Sequence, residues 1–323
     1  MEEKVLNEIN DHTAPCLIEH FTGQERVKQL VRTALEASWV DGNRLPHMIF
    51  SGPPGVGESQ LAAILAKEMG VDLIEQLAQN LSGISDVQGF LLQAKEKSVL
   101  LIDEIDQLGK LQQVTLYRAL ENGKLFLTSG QKNRSTTIKL EPFTLIACTN
   151  FPEYLLKPLQ DRFKMTLPFT WYSEDEIKTI LKNRVVHLRW DVEEEVYPAV
   201  ASRSRGTPRA ALKILESTRR TARANGDTTI SLTHLNSTLS MEGIDSLGLT
   251  IDERNYLSIV KNHNNLIRLN VIATCLCGMS SRSVSTNIEP YLIRIGLLTK
   301  DPQNGCRVLT EKGIKHITEN PVE

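Results

Sequence analysis

Apolar residues in the first half of the chain gather into three short runs, each closed by small or polar residues. His47-Met-Ile-Phe-Ser51 leads into a glycine-rich turn, and Leu61 to Lys67 then reads as a helix. Ser98-VLLI-Asp103 ends in acids, and Phe143-TLIACT-Asn150 ends in a polar amide. Apolar runs of strand length, separated by helical stretches such as residues 112–121, predict a parallel sheet covered on both faces. The first half is therefore expected to be α/β.

The pattern changes after Pro168. Residues 173–240 repeat apolar positions at helical spacing. Ser173, followed by Glu174, Asp175 and Glu176, has the form of a helix start. Thr207-Pro208 opens another helix, with proline where its missing N–H costs little, and Gly226 ends it. From about Ile244 two helices are expected over 252–262 and 270–277. A third begins near Ser280, and two strand-like pieces, LLTK and CRVLT, flank the turn Asp301-PQNG. Helices followed by a small hairpin are the order of a winged helix. The expected domains are thus 1–168, 169–243 and 244–323.

Composition narrows the function classes. The chain has 323 residues and a formal charge of −2, so any nucleic-acid contact has to be local rather than global. No apolar run has the length of a membrane span, and the start, MEEKVLNEINDHT, is too polar for a signal peptide, which makes the cytoplasm the expected compartment. The five cysteines are scattered, and a disulfide framework is not expected. Cys275-Leu-Cys277 lies in an apolar helical run without a second ligand pair, and is read as core packing rather than a metal site.

The candidate chemistry begins at Ser51-GPPGVGES-Gln60. Its glycines have the spacing of a phosphate-binding loop, in which backbone N–H groups cradle phosphate at a helix N-terminus. Ser59 stands where a hydroxyl ligates Mg²⁺, but Glu58 occupies the place of the lysine. Downstream, Leu100-LIDEID sets Asp103 and Glu104 just past an apolar strand. An Asp there can hold the magnesium and a Glu can orient the attacking water. Asn150, at the end of the third run, can help position that water.

GPPGVGES, LIDEID, TLIACTN, PLQDRF and RGTPR, in this order, resemble the AAA+ ATPases, and within them the RuvB family of branch-migration motors for four-way DNA junctions. The resemblance runs from Phe21-TGQERV to Glu311-KG. It implies a P-loop sheet domain, a helical lid and a C-terminal winged helix. It also implies ATP or ADP with Mg²⁺ as cofactors and a ring, hexameric in the family. Gly52, Pro53, Gly55, Val56, Gly57, Glu58, Ser59 and Gln60 fall in the nucleotide-binding loop. Ser59 and Asp103 fall on the magnesium positions, Glu104 on the catalytic base and Asn150 on the first sensor. Arg162 falls on the arginine finger that completes a neighbour's site, and Arg209 on the second sensor.

Three departures stand out. Gln160 replaces a second arginine in the finger segment. Residues 121–141 read as a hairpin where the family docks its partner RuvA; the hairpin is short and polar, which weighs against that partner. Glu58 is the gravest: two like charges about 4 Å apart repel by roughly 4 kcal/mol at an effective dielectric near 20. Poor nucleotide binding and little turnover are expected. Residues 244–323 hold nine Lys/Arg against eight Asp/Glu, so the winged helix is not a basic domain. Winged helices serve DNA or protein; the resemblance points to sequence-independent contact with branched or double-stranded DNA through Arg282, Lys300 and Arg307. Two other readings stay open: a ring subunit that binds DNA or protein without hydrolysis, and an AAA+ protein remodeller.

Overall fold

The computed structural model describes residues 15, 17–129, 134–263, 267–276 and 278–320. They form two compact units, Met1–Leu188 with Thr207–Arg209, and Arg189–Gly206 with Ala210–Glu323.

The first unit opens with α1 (Glu25–Asp41), which leads to β1 (Met48–Ser51), the phosphate loop and α2 (Glu58–Glu68). Then come β2 (Leu73–Leu77), α3 (Ile84–Leu91), β3 (Val99–Asp103) and α4 (Lys110–Asn122). The antiparallel hairpin β4 (Lys124–Ser129) and β5 (Arg134–Lys139) precedes β6 (Thr144–Thr149), α5 (Lys157–Gln160), β7 (Met165–Pro168) and α6 (Glu174–Leu188). The five-stranded sheet has the order β2-β3-β6-β1-β7, and its neighbours pair in parallel. β1, β3 and β6 are the three apolar runs of the sequence. Their side chains are almost wholly buried, as both faces of a parallel sheet require.

The edge strands β2 and β7 were not expected. LIEQL is half-buried to exposed throughout and MTLP buries only Leu167, over five and four residues, too short and too exposed for a period to register. The hairpin is where the sequence placed it; its tip, 130–133, lies outside the described residues.

The second unit holds β8 (Asp191–Val192), α7 (Val196–Arg203), most of α8 (Pro208–Ala224), β9 (Thr229–Ile230) and α9 (Leu232–Met241). The winged helix follows: α10 (Ile251–Asn262), α11 (Leu269–Cys275) and a third helix made of α12 (Ser281–Ser283), a π-turn segment (Val284–Ile288) and α13 (Glu289–Arg294). The wing is β10 (Leu298–Lys300) paired with β11 (Arg307–Leu309), and α14 (Glu311–Glu319), which the sequence reading missed, closes the chain. The π-turn stands just before Pro290, which has no N–H for the ordinary helical ladder.

One cysteine expectation is corrected. Cys275 is exposed at the end of α11, where Ile272, Ala273 and Leu276 take the buried positions; Cys277 lies outside the described residues. Among the described residues no group of three metal-ligating side chains forms, and no helix is long and apolar enough to cross a membrane.

Candidate nucleotide site and winged helix

The loop between β1 and α2 lies at the carboxyl end of the parallel sheet, where β3 and β6 also deliver their terminal residues. Gly55 and Gly57 take φ of +84° and +101°, a left-handed backbone that side chains disfavour. A Cβ on Gly52 would fall 2.6 Å from the Cβ of Phe169. From behind, the Tyr172 hydroxyl donates to the Val56 carbonyl at 2.9 Å, and the Phe21 ring closes on Gly57. Pro53 and Gln60 belong to the same segment.

The Ser59 hydroxyl donates to Oδ2 of Asp103 at 3.2 Å, so the sheet brings the two magnesium candidates together. The other Asp103 oxygen accepts the Glu104 N–H at 3.0 Å. Glu104 itself has φ +54°, an unusual backbone for a non-glycine residue and one found at functional positions. Its Oε2 accepts from the amides of Gln107 (2.8 Å) and Gln79 (3.4 Å). Asn150 sits exposed directly after β6. The Thr149 hydroxyl beside it donates to Asp106 at 2.6 Å and accepts the Phe151 N–H at 3.0 Å.

Glu58 starts α2. Its Oε1 is buried and has no hydrogen-bond partner. Burial, aided by the Asp103 charge and opposed by Arg209, pushes its carboxyl up to about 8. Glu75 on β2 is raised in the same way, by burial and Asp103. Arg209 lies against the loop: its backbone N–H faces the Gly55 carbonyl at 3.4 Å, and a Cβ on Gly55 would fall 2.9 Å from the Arg209 Cβ. The glycine cradle and the Ser59–Asp103 pair fit a magnesium nucleotide. The orphaned carboxyl at 58 does not.

Arg162 pairs with an acid on α4. Its Nη2 donates to Glu121 at 2.5 Å, near the end of α4. Gln160 donates its amide to the carbonyls of Pro152 and Leu155, both at 2.9 Å, and so fixes the turn that carries Arg162.

In the winged helix the three candidate DNA residues part company. Arg307 is spent on a structural pair: its guanidinium donates to both oxygens of the buried Glu289, at 2.7 and 3.1 Å, and to the Gly305 carbonyl. Glu289 also takes Lys300 at 3.0 Å and the Tyr256 hydroxyl at 2.9 Å, and these donors hold its carboxyl below the usual range despite burial. Arg307 therefore fits a wing anchor better than a phosphate contact. Arg282 is exposed on α12.

The sequence reading also missed Arg205. With φ +57°, it donates to both carboxyl oxygens of the buried Glu253, at 2.7 and 2.5 Å, and to the Gly248 carbonyl, while lying 4.6 Å over the Tyr291 ring. Its own carbonyl accepts from Arg294 at 2.7 Å. On α8, Arg219 lies 4.6 Å over the Trp190 ring.

A parallel sheet of this order, with a glycine cradle beside a Ser–Asp pair, a helical lid and a winged helix, defines an AAA+ P-loop protein. The chain matches the RuvB P-loop domain over residues 13–169, the RuvB AAA lid over 172–245 and the RuvB C-terminal winged helix over 246–318. A curated relative from Prochlorococcus marinus, "Holliday junction branch migration complex subunit RuvB", is 38% identical over 322 residues, 98% of this chain and 90% of the relative. A namesake from Kosmotoga olearia is 33% identical, covering 94% of this chain and 89% of that one. The solved "Thermotoga maritima RuvB Holliday junction branch migration motor" superposes with a TM-score of 0.82 at 30% identity, over 95% of this chain and 98% of that one. The chain belongs to the RuvB family.

Proposed function

We propose that the chain is an ATP-dependent motor subunit that moves branched DNA, with nucleotide turnover held low by Glu58. The observation that carries this reading is the Ser59–Asp103 contact at a glycine cradle, in a chain that ends in a winged helix. Mg²⁺ and ATP, when bound, supply hydrolysis of the terminal phosphate as the source of work. Ser59 and Asp103 are the residues that would hold the metal, and the N–H groups of 52–60 those that would hold the phosphates. Glu104 would orient water, its carboxylate first leaving the amides of Gln79 and Gln107. Asn150 and Arg209 would position the terminal phosphate.

Arg162 would serve a neighbouring subunit, which makes a ring, six-membered by the family's precedent, the working form. The hairpin of residues 124–139 exposes Phe126, an apolar residue of the kind a RuvA-like partner would need. The DNA contact would go to phosphates and fall with salt. Arg282 and the exposed part of Lys300 are its best-placed donors.

ATP hydrolysis on four-way DNA tests the reading. Glu58→Lys should raise turnover well above that of the unchanged chain, and adding Glu104→Gln should abolish it. No hydrolysis by the Glu58→Lys chain would remove the motor reading. A second reading, a ring subunit that holds DNA without hydrolysis, draws on the buried Glu58 carboxyl alone. Turnover by the unchanged chain that Glu104→Gln abolishes would exclude it.

A further inference from the structure

The winged helix has little positive charge to spare. Arg307 and Lys300 both lean on the Glu289 carboxylate, which cancels much of their field where they stand. The same compact unit carries its cations elsewhere. Residues 210–224 of α8 hold Lys213, Arg219, Arg220 and Arg223 against a single acid, Glu216, in a chain whose formal charge is −2.

These cations share one side of the helix. At 100° per residue, Lys213, Arg220 and Arg223 lie within an arc of about 80°. All three are exposed, while Ala211, Ile214, Leu215, Thr218 and Ala222 on the other side are buried. Among the described residues neither Lys213 nor Arg220 has an ion-pair partner, and Glu216, although inside the arc, pairs with neither. Arg223 reaches only the Asp227 carbonyl, at 3.5 Å, and the Asp227 carboxylate is engaged by His234 at 3.0 Å. Arg219 borders the arc with its guanidinium 4.6 Å over the Trp190 ring, which holds a fourth charge in place.

We propose that this face of α8 is a second DNA-contact surface, in which Lys213, Arg220 and Arg223 take the backbone phosphates of a duplex. The proposal rests on the reading that the chain handles DNA. The three residues span about 15 Å of helix, and duplex DNA presents one charge per about 1.7 Å of its axis, so several phosphates face them at once. Such contacts release counterions and carry no sequence information, as a motor that moves along DNA requires.

Binding to a plain duplex and to a four-way junction, followed by fluorescence anisotropy in Mg²⁺ between about 50 and 200 mM salt, tests the idea. Lys213→Gln with Arg220→Gln should weaken binding about tenfold or more and flatten the plot of log affinity against log salt by about 2. Glu216→Gln, which removes the one acid of the arc, should strengthen binding by about 2–5-fold, a gain that a merely structural role would not produce. Thermal melts of these surface variants should match that of the unchanged chain. An unaltered salt slope in the double variant overturns the proposal, as does a loss of affinity without a change of slope. If DNA binding is unaltered but sedimentation shows a change of assembly, the face meets a second copy of the chain, and the proposal falls. If neither the unchanged chain nor Glu58→Lys binds either DNA at the lowest salt, the DNA reading falls with it.

Discussion

The Ser59 hydroxyl meets the Asp103 carboxylate at 3.2 Å across 44 residues of chain. The two come from the helix after β1 and from the end of β3, so only the finished sheet brings them together. Asp103→Ala in the Glu58→Lys chain should leave the fold intact and remove the magnesium dependence of nucleotide binding. Titrations with Mg²⁺ and with EDTA, which differ by about tenfold or more before the change, should then coincide. A difference that survives would place the metal elsewhere.

Glu58 brings an unpaired buried oxygen next to that pair. Replacing it should therefore stabilise the nucleotide-free protein. Glu58→Lys is expected to gain about 1–3 kcal/mol by exchanging a buried carboxyl with an unpaired oxygen for a cation beside Asp103. A thermal melt should rise by several degrees. An unchanged or lower midpoint would mean that Glu58 has found a partner.

Glu289 is the hub of the wing. With Arg307, Lys300 and Tyr256 all donating to it, Glu289→Ala should destabilise the winged helix by about 3–5 kcal/mol, since it strands an arginine that is only 12% exposed. Lys300→Ala, at an ammonium 47% exposed, should cost less than about 1 kcal/mol. Denaturant unfolding separates the two. If Arg307→Ala weakens DNA binding without loss of stability, Arg307 is a DNA contact after all.

His47 sets a pH dependence. It is buried, its Nδ1 accepts the Leu145 N–H at 2.9 Å, and burial with Arg44 and Lys164 nearby lowers its pKa to about 3. The folded chain thus refuses a proton that the unfolded chain accepts below about 6.5. Stability is complete above that value and is lost as pH falls toward 3. Between pH 7 and pH 5 the loss should be about 2 kcal/mol, and His47→Asn, which keeps an acceptor for Leu145, should flatten the slope by about one proton. Parallel slopes would show that His47 ionises in the folded state.

Much of this molecule was legible in the sequence, for identifiable reasons. β1, β3 and β6 are buried on both faces and read as unbroken apolar runs, and the loop and acid motifs follow them at fixed offsets. β2 and β7 lie at the sheet edges, half exposed, so no run marks them. Arg307 and Arg205 could not be read at all, because their meaning lies in partners 18 and 48 residues away. A surface arginine and a buried anchor look alike until the fold supplies a carboxylate.

Arg205 has one more consequence. It grips Glu253 and Gly248 at the foot of the winged helix, and Thr207 begins the segment that reaches the phosphate loop. Only Gly206, with φ +70°, stands between them. Arg205 is tied through both its side chain and its carbonyl, so the chain enters Gly206 from a fixed residue.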